Sequence, residues 1–466
     1  MASALLSDGA DLTPLESRIV HAFPRGVPVD ARRGTAEGEL PDTSSRRGCA
    51  RPPVRASVLR ALLLSGRADG IPGLRLTGVT VTGRLDLAHA EIPCPVRFVD
   101  CDFEHPVELR EARVRRLDLC ASRLPALTAT GIRVESDLGL ADCRVSGPVR
   151  LDRARVEGDI RAARLRVRGA LVLETAQADG ALDLEDARLH GDGGDALDAR
   201  NLTLGTLLNA GGLDAEGRVR LTGCTAGGWI SFIEARLHNP GGVALGLSSC
   251  EARQLTLRDA RPITGEVRLH HSAFKAIEAD PGVWPPSVSL EGLVYESLSP
   301  RLPADRRLPL LECDQGGFLP HSYEQLARSY RAAGEDVEAR TVLLAAQRRR
   351  RRSLPWPARV WGHVQDVTVG YGFRPARAVA WLLTLLLAGT VAYGLDEPPR
   401  SEPGKGPPFN APVYAADLLL PVVDFGQEKT FAPTGPHQWL AVLLVASGWI
   451  FATTVTAGVT RSLTRP

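Results

Sequence analysis

The sequence is poor in the residues from which redox, metal and aromatic-lined sites are built. Its 466 residues include eight cysteines and one methionine, and aromatic side chains make up 5%. The cysteines form neither a CxxC pair nor a Cys/His cluster at the spacing of a zinc site. We therefore predict no metal and no cofactor, and we expect the thiols to be reduced and structural.

The chain also has almost no net charge and no recognisable export signal. The formal charge is +2 at pH 7, so the composition gives no reason to expect a nucleic-acid partner. Hydrophobic residues make up 44%, which suffices for buried cores in roughly two to four domains. The start, MASALLSDGADLTPLESRIV, lacks a basic region followed by a long apolar core. We expect the N-terminal part to remain in the cytosol.

A unit of eleven residues recurs through the middle of the chain, between residues 74 and 280. Examples are VSGPVRLDRARV, VEGDIRAARLRV and ADGALDLEDARL, and the glycines at Gly147, Gly158, Gly169, Gly180 and Gly191 keep the same spacing. Eleven residues are too few for a helix-turn-helix repeat, whereas two alternating apolar residues fit one face of a short strand. The pattern predicts a mainly β fold, a β-solenoid in which two units form one coil of about 20 to 22 residues.

The repeat assigns places to the remaining polar and small residues. Cysteines such as Cys143 and Cys224 fall on the small inward position of the unit, so they are predicted to be buried. The outward acidic residues, with arginines between them, predict a solvated mixed-charge face. The alternative is that two of these acids form a catalytic carboxylate pair. The run HGDGGDALDA resembles a dinucleotide-binding fingerprint, but another strand-like unit follows it where a helix is required. We interpret it as a loop between coils.

Helical segments are predicted on both sides of the solenoid. Thr13 and Glu16 have the spacing of a capping box, and so do Ser322 and Gln325. The first helices would cap the open edge of the solenoid. The later pair resembles one tetratricopeptide-style hairpin, interpreted as a cap and connector, with peptide binding as the alternative. The predicted segments are a helical cap (1–73), the solenoid (74–280), a proline-rich connector (281–320), a helical hairpin (321–352), an amphipathic segment (353–377) and a hairpin of two membrane helices (378–466).

Two uncharged apolar stretches, 378–395 and 439–459, are long enough to cross a bilayer as helices. Basic residues flank them on the outer sides, while the loop 396–438 between them is acidic. The positive-inside rule then predicts a plasma-membrane protein with two spans and both termini in the cytoplasm.

Residues before the first span are predicted to contact anionic headgroups of the bilayer. An arginine run next to tryptophans on an amphipathic segment would bind such a surface, and a nucleic-acid patch is the alternative. The expected partners are thus the lipid bilayer and either another protein or a second copy of the chain. The predicted surface contacts are Arg348, Arg349, Arg350, Arg351, Arg352, Trp356 and Trp361.

Two further motifs could indicate ion conduction. The pentamer TVGYG at 368–372 matches a potassium-channel filter, but it precedes the first span, so Gly370, Tyr371 and Gly372 are interpreted as a hinge. The apolar dip at 413–427 would be a pore loop in a span-loop-span arrangement, with Asp424 and Gln427 as its polar residues.

The whole pattern resembles a family of actinobacterial membrane-associated proteins. The residues that carry this resemblance are VRASVLRALLL, the GRLDL repeats, YEQLARSYRAAGEDVEAR, TVGYGFRPARAVAWL, YAADLLLPVVDFGQE and WIFATTVTAGVTR. The resemblance implies a solenoid similar to pentapeptide-repeat proteins and the label of a membrane-associated oxidoreductase, but it brings no catalytic residue.

The function expected from the sequence is a non-catalytic scaffold or assembly platform, anchored to the membrane. A channel-like protein with its pore loop at 413–427 and an oxidoreductase are the alternatives.

Overall fold

The structure is a computed structural model that describes residues 12–32, 51–65, 73–352, 375–400, 408–420 and 424–463. It divides into two compact units, Met1–Glu335 and Asp336–Pro466. In chain order the described helices are α1 (Pro14–Ala22), α2 (Ala56–Ser65), α3 (Ala304–Glu312), α4 (Pro320–Ala332), α5 (Asp336–Arg352), α6 (Pro375–Leu395), α7 (Ala411–Leu419) and α8 (Pro436–Leu463), with 3₁₀ turns at Phe23–Arg25 and Pro281–Val283.

The first unit is a parallel β-solenoid. Its described strands are β1 (Val29–Asp30), β2 (Pro53–Arg55), β3 (Leu74–Thr77), β4 (Thr80–Thr82), β5 (Glu91–Val99), β6 (Asp102–Phe103), β7 (Val107–Glu108), β8 (Arg113–Asp118), β9 (Arg123–Leu124), β10 (Leu127–Thr128), β11 (Arg133–Val134), β12 (Leu138–Gly139), β13 (Arg144–Val145), β14 (Val149–Arg150), β15 (Arg155–Val156), β16 (Ile160–Arg161), β17 (Arg166–Arg168), β18 (Leu171–Val172), β19 (Gln177–Ala178), β20 (Leu182–Asp183), β21 (Arg188–Asp198), β22 (Thr203–Leu204), β23 (Leu208–Asn209), β24 (Asp214–Arg220), β25 (Thr225–Ala226), β26 (Trp229–Ser231), β27 (Arg236–Gly246), β28 (Glu251–Leu257), β29 (Thr264–Arg268), β30 (Ala273–Ala279), β31 (Ser287–Ser289) and β32 (Val294–Ser299).

These strands form two parallel sheets, and each coil contributes one half to each sheet. In the first sheet Arg133 pairs with Arg155, and in the second Arg144 pairs with Arg166, so one coil takes 22 residues at this point. The predicted β-solenoid of eleven-residue half-coils is therefore confirmed. The strands continue to Ser299, within the segment that the sequence suggested as a connector.

The interior is a column of aliphatic and small side chains. Side chains alternate across a strand, so Val145 and Val149 point inwards while their neighbours point out. The predicted inward cysteines are confirmed, since Cys143 and Cys224 are fully buried. Burial raises the pKa of the Cys143 thiol to about 12. This thiol is thus a small core residue at neutral pH.

The two corners of each half-coil are made in different ways. One corner holds a residue in the left-handed conformation, as at Asp142 and Arg164, where φ is 59° and 55°. At the other corner Gly180 packs against the previous coil, and a Cβ there would lie 2.8 Å from the carbonyl oxygen of Gly158. The glycine spacing therefore marks close approach of neighbouring coils at this corner.

The N-terminal cap holds a buried ion pair. The predicted capping box is confirmed, with Thr13 and Glu16 each accepting the other's backbone N–H at the start of α1. Glu16 is 0% exposed and also accepts hydrogen bonds from the backbone N–H and the guanidinium of Arg55 in β2. Burial by itself would raise the pKa of Glu16, but these hydrogen bonds lower it to about 2. The pair ties α1 to the first coil.

Helix α4 begins differently from the sequence prediction. It starts at Pro320, and its N-cap, Leu319, makes no side-chain hydrogen bond. Ser322 lies inside the helix, and Gln325 donates to the carbonyl oxygen of Tyr295 in β32. The capping box predicted at Ser322 and Gln325 is wrong, because burial against β32 uses the Gln325 amide instead.

The second unit contains α5 to α8. Its buried cluster joins Tyr393 of α6, Tyr414 and Leu418 of α7, Phe431, and Leu444 of α8. The rings of Tyr393 and Tyr414 meet edge to face, with centroids 4.9 Å apart. Helix α7 thus packs against both α6 and α8.

The predicted membrane hairpin is wrong. A spanning helix needs about 20 mostly apolar residues in succession. Within the described ranges no helix combines that length with that hydropathy. The sequence prediction counted uncharged residues, whereas part of the apolar surface of these helices packs on α7. The two-span fold class and the plasma-membrane localisation are withdrawn.

Candidate functional site

Four arginines stack on consecutive coils of the second sheet. Arg123 pairs in register with Arg144, Arg144 with Arg166, and Arg166 with Arg188. We call these four residues the arginine column. Neighbouring strands in a sheet lie about 4.8 Å apart, so the column presents cations at that interval along the solenoid.

The repeat itself directs these side chains outwards. In each strand the next residue is buried, namely Leu124, Val145, Val167 or Leu189, so the preceding arginine must face solvent. All four arginines are exposed. The solenoid core therefore fixes their positions while leaving the guanidinium groups accessible.

Acidic residues close both ends of the column. Asp102 precedes Arg123 in register, and the two form an ion pair at 3.6 Å. Asp214 follows Arg188 in register, and it pairs with Arg236 at 3.9 Å. The charge of the column is thus compensated at its margins.

The middle of the column makes no direct ion pair, although Arg166 lies close enough to Asp142 to help lower the pKa of that carboxyl. Across the part of the chain that the structure describes, Arg144, Arg166 and Arg188 form neither an ion pair nor a side-chain hydrogen bond. Two unit charges at about 5 Å in water repel by roughly 1 kcal/mol. Like charges placed directly opposite on neighbouring strands destabilise a sheet. A bound anion would remove this repulsion.

The column forms one wall of a groove of about 700 Å³. Its lining also includes the row of left-handed corner residues, in which acids occupy every second coil at Asp100, Asp142, Asp186 and Glu234. No aromatic side chain lines the groove in the described structure. Its full lining is Asp100, Ala121, Arg123, Asp142, Arg144, Arg164, Arg166, Asp186, Arg188, Gly212, Asp214, Glu234, Arg236 and Arg261.

Two of the acids in this row are already engaged by arginines. Asp142 accepts two hydrogen bonds of 2.7 Å from the guanidinium of Arg164, which holds its pKa below the usual range. Asp100 pairs with Arg51 at 2.5 Å. Among the described residues that line the groove, four arginines and two carboxylates make no ion pair, namely Arg144, Arg166, Arg188, Arg261, Asp186 and Glu234.

The same repeat position on the first sheet has a different environment. Arg113, Arg133 and Arg155 also stack in register there. An exposed glutamate lies two residues after Arg133 and another two residues after Arg155. These glutamates, Glu135 and Glu157, are on the same side of the strands as the arginines. The positive row on this sheet thus runs beside a negative one.

Several of the other outward carboxylates have partners, as expected of a mixed-charge face. Asp118 pairs with Arg97 at 3.1 Å, and Asp152 with Arg150 at 3.4 Å. These two acids are thus engaged by arginines on the solenoid surface.

The run that resembles a dinucleotide fingerprint lies in a strand. Its residues Gly191, Gly193 and Ala196 belong to β21, whose pairing with β24 shifts register between His190 and Asp195. No helix follows it, so it lacks the geometry of a dinucleotide site.

The two tryptophans of the predicted membrane-surface contact, Trp356 and Trp361, fall outside the described ranges. The hinge residues Gly370, Tyr371 and Gly372 do so as well, and both the contact and the hinge remain predictions. The arginine run, from Arg348 to Arg352, forms the end of α5.

Asp424 and Gln427 have structural partners in the second unit. Gln427 is 4% exposed; its amide accepts from the Asn410 backbone N–H and donates to the Pro408 carbonyl oxygen. Asp424 pairs with Lys429 at 2.5 Å. The pore-loop hypothesis also loses the two spans on which it depended.

Sequence analysis did not identify Asp417, the residue that holds the loop around Gln427 in place. Asp417 of α7 is buried and accepts hydrogen bonds from the backbone N–H groups of Phe425, Gln427 and Glu428. An acidic residue inside the apolar stretch YAADLLL was the available signal.

Comparisons with known proteins give no functional assignment. No family model, no curated protein and no solved structure matches the chain. Among the described residues no group of three or more His, Cys, Asp or Glu side chains could hold a metal. The resemblance to actinobacterial proteins remains a prediction.

Proposed function

We propose that the solenoid is a non-catalytic binding scaffold and that the arginine column is the place where an acidic partner binds. The observation that carries this proposal is the run of three arginines on consecutive coils, Arg144, Arg166 and Arg188, that make no ion pair among the described residues. A stacked solenoid presents an extended surface whose side chains keep a fixed spacing.

The column suits anion binding for two physical reasons. Guanidinium groups bind carboxylate, sulfate or phosphate oxygens through paired N–H donors. The rigid coils also hold the cations together before the partner arrives, so an anion gains contacts and relieves repulsion at once. Both effects grow with the number of anionic groups on one ligand.

A pair of matched variants tests the proposal. Arg144→Glu/Arg166→Glu changes the column, whereas Arg133→Glu/Arg155→Glu changes the same repeat positions of the same coils on the first sheet. Both variants lower the net charge equally. The measurement is the salt concentration at which each protein elutes from immobilised heparin, used as a general polyanion.

We expect the wild type and the first-sheet variant to be retained, and the column variant to elute at much lower salt. Circular dichroism should show that both variants keep the wild-type fold. Equal retention of the two variants would contradict the proposal, because binding would then follow net charge alone. Failure of the wild type to bind would do the same.

A further inference from the structure

We infer that the C-terminal end of the solenoid holds a binding site for a small neutral aliphatic molecule with one hydrogen-bonding group. The site is a cavity of about 60 Å³ between β30, β32 and the helices α3 and α4, all within the first unit. Among the described residues, it shares no lining side chain with the groove beside the arginine column. Its ligand is therefore independent of the acidic partner proposed for the column.

The lining of this cavity suits the apolar part of a ligand. Most of its side chains are aliphatic, and Leu269, Leu290 and Leu326 are at most 4% exposed. Water occupies a cavity where it makes about two to four hydrogen bonds, whereas apolar cavities stay dry and bind apolar molecules. An aliphatic group is thus a better occupant of this space than water.

The volume limits the length of the ligand. A water-sized group needs about 10–15 Å³ of such space, so the cavity accommodates roughly four to six groups of that size. A methylene group is similar in size to a water molecule. The cavity therefore fits an aliphatic chain of about four to six carbons.

The hydrogen-bonding group of the ligand is inferred from Ser322. This residue lines the cavity and is 7% exposed, and its buried Oγ has no hydrogen-bond partner among the described residues. Burial of a hydroxyl without a partner is unfavourable, and a ligand that hydrogen-bonds to it removes this cost. The nearby Gln325 amide is already used, since it donates to the carbonyl oxygen of Tyr295 and accepts from Arg328.

A charged group is disfavoured at this place. Burial of a carboxylate is far more unfavourable than burial of a hydroxyl or a carbonyl group. The cavity has this effect on its own side chains, since burial raises the pKa of the Tyr295 hydroxyl. Among the lining residues only Arg307 carries a charge, and its guanidinium already donates to the carbonyl oxygen of Pro300. The ligand thus carries an alcohol or carbonyl group, and pairing of a carboxylate with Arg307 is the alternative.

The first experiment titrates the full-length protein with straight-chain primary alcohols, from propanol to octanol, by isothermal calorimetry. Each methylene that enters the cavity should raise the affinity about fourfold. The affinity should stop rising near hexanol, because the cavity is then full. Ala279→Leu enlarges a lining side chain and should weaken hexanol binding by about tenfold or more. Ala273→Leu, the same change at an exposed position of β30, should leave binding unchanged.

The second experiment compares two serines of α4. Ser322→Ala should weaken hexanol binding about fivefold, because one hydrogen bond to the ligand is lost. Without alcohol it should not destabilise the protein, because the deleted hydroxyl had no described partner. Ser329 is also buried, but its Oγ donates to the carbonyl oxygen of Leu326. Ser329→Ala should therefore leave hexanol binding unchanged.

Hexanoate tests the neutral character of the ligand. It should bind at least about tenfold more weakly than hexanol at neutral pH. Tighter binding of hexanoate that Arg307→Gln abolishes would overturn the assignment of a neutral group.

The cavity site itself would be overturned by three results. These are no binding of any alcohol, an affinity that rises with chain length without limit, and equal effects of Ser322→Ala and Ser329→Ala. Retention on heparin is independent of all these measurements, so failure of the cavity site leaves the anion-binding scaffold standing, and the reverse also holds.

Discussion

The N-terminal cap and the arginine column differ in whether their charged side chains are paired. In the cap, Glu16 is removed from water, and its carboxylate accepts from the backbone N–H groups of Thr13 and Arg55 and from the Arg55 guanidinium. In the column, Arg144 and Arg166 stand side by side in solvent without a described partner. The first arrangement serves the fold, whereas the second lowers the stability of the sheet.

The difference shows where to look for function in a repeat protein. A buried carboxylate requires a partner, because leaving it unpaired would cost several kcal/mol. Exposed like charges cost less, so a fold can keep them where a ligand uses them. Exposed like charges without an ion-pair partner, in a fold that pairs most of its other charges, are therefore candidates for binding sites.

The largest expected effect comes from breaking the cap. Glu16→Gln leaves the Arg55 guanidinium with a weaker acceptor in a buried site, so the free energy of unfolding should fall by roughly 1–3 kcal/mol. Urea denaturation followed by circular dichroism measures this loss. Glu104→Gln, an exposed change of the same type, should alter stability by less than about 0.5 kcal/mol. Equal effects of the two changes would contradict the role given to Glu16.

The pH dependence of the cap follows from the same pair. The folded-state pKa of Glu16, about 2, lies below its ordinary value of 4.5, so its contribution to stability is complete above that ordinary value. This contribution should be lost as the pH falls from about 5 to about 2. The measurement is the difference in stability between wild type and Glu16→Gln across this range. A difference independent of pH would contradict the assignment.

A smaller effect of opposite sign is expected in the column. Arg166→Glu replaces two repulsions, with Arg144 and Arg188, by two attractions, so the unliganded protein should become more stable by about 1 kcal/mol. The same variant should lose retention on heparin. A gain in stability together with a loss of binding would identify a site kept for function. A clear loss of stability would show that the column is compensated in some other way.

The smallest effect concerns salt. Raising NaCl from 0.05 to 0.5 M screens the column, so the wild type should gain about 0.5 kcal/mol relative to Arg144→Gln/Arg166→Gln. Parallel urea titrations of the two proteins at each salt concentration measure the difference. Identical salt dependence would mean that the arginines do not repel each other in solution.

Much of the solenoid could be predicted because its cause is local. The eleven-residue period, the inward Cys143 and the capping box of Thr13 and Glu16 all depend on contacts within a few residues or on the alternation of one strand. The membrane hairpin was predicted wrongly from uncharged length. What the sequence could not show is that α7 packs against both apolar helices and covers part of their surface.

The arginines of the column follow the predicted coil length, since they are 21 or 22 residues apart. Spacing does not show which acids reach them, because successive arginines about eleven residues apart alternate between the two sheets and some coils are longer. Arg188 and Asp214, for example, are 26 residues apart, around the register shift in β21. Only pairing between strands shows which charges are neighbours.

The sequence by itself determined the coil, its buried side chains and the outward direction of each arginine, because a buried aliphatic residue fixes the side of the strand on which its neighbour lies. The tertiary structure decided which of those arginines stack, which acids reach them and where no acid does. Electrostatic compensation depends on distances between coils, and those distances exist only after the chain has folded.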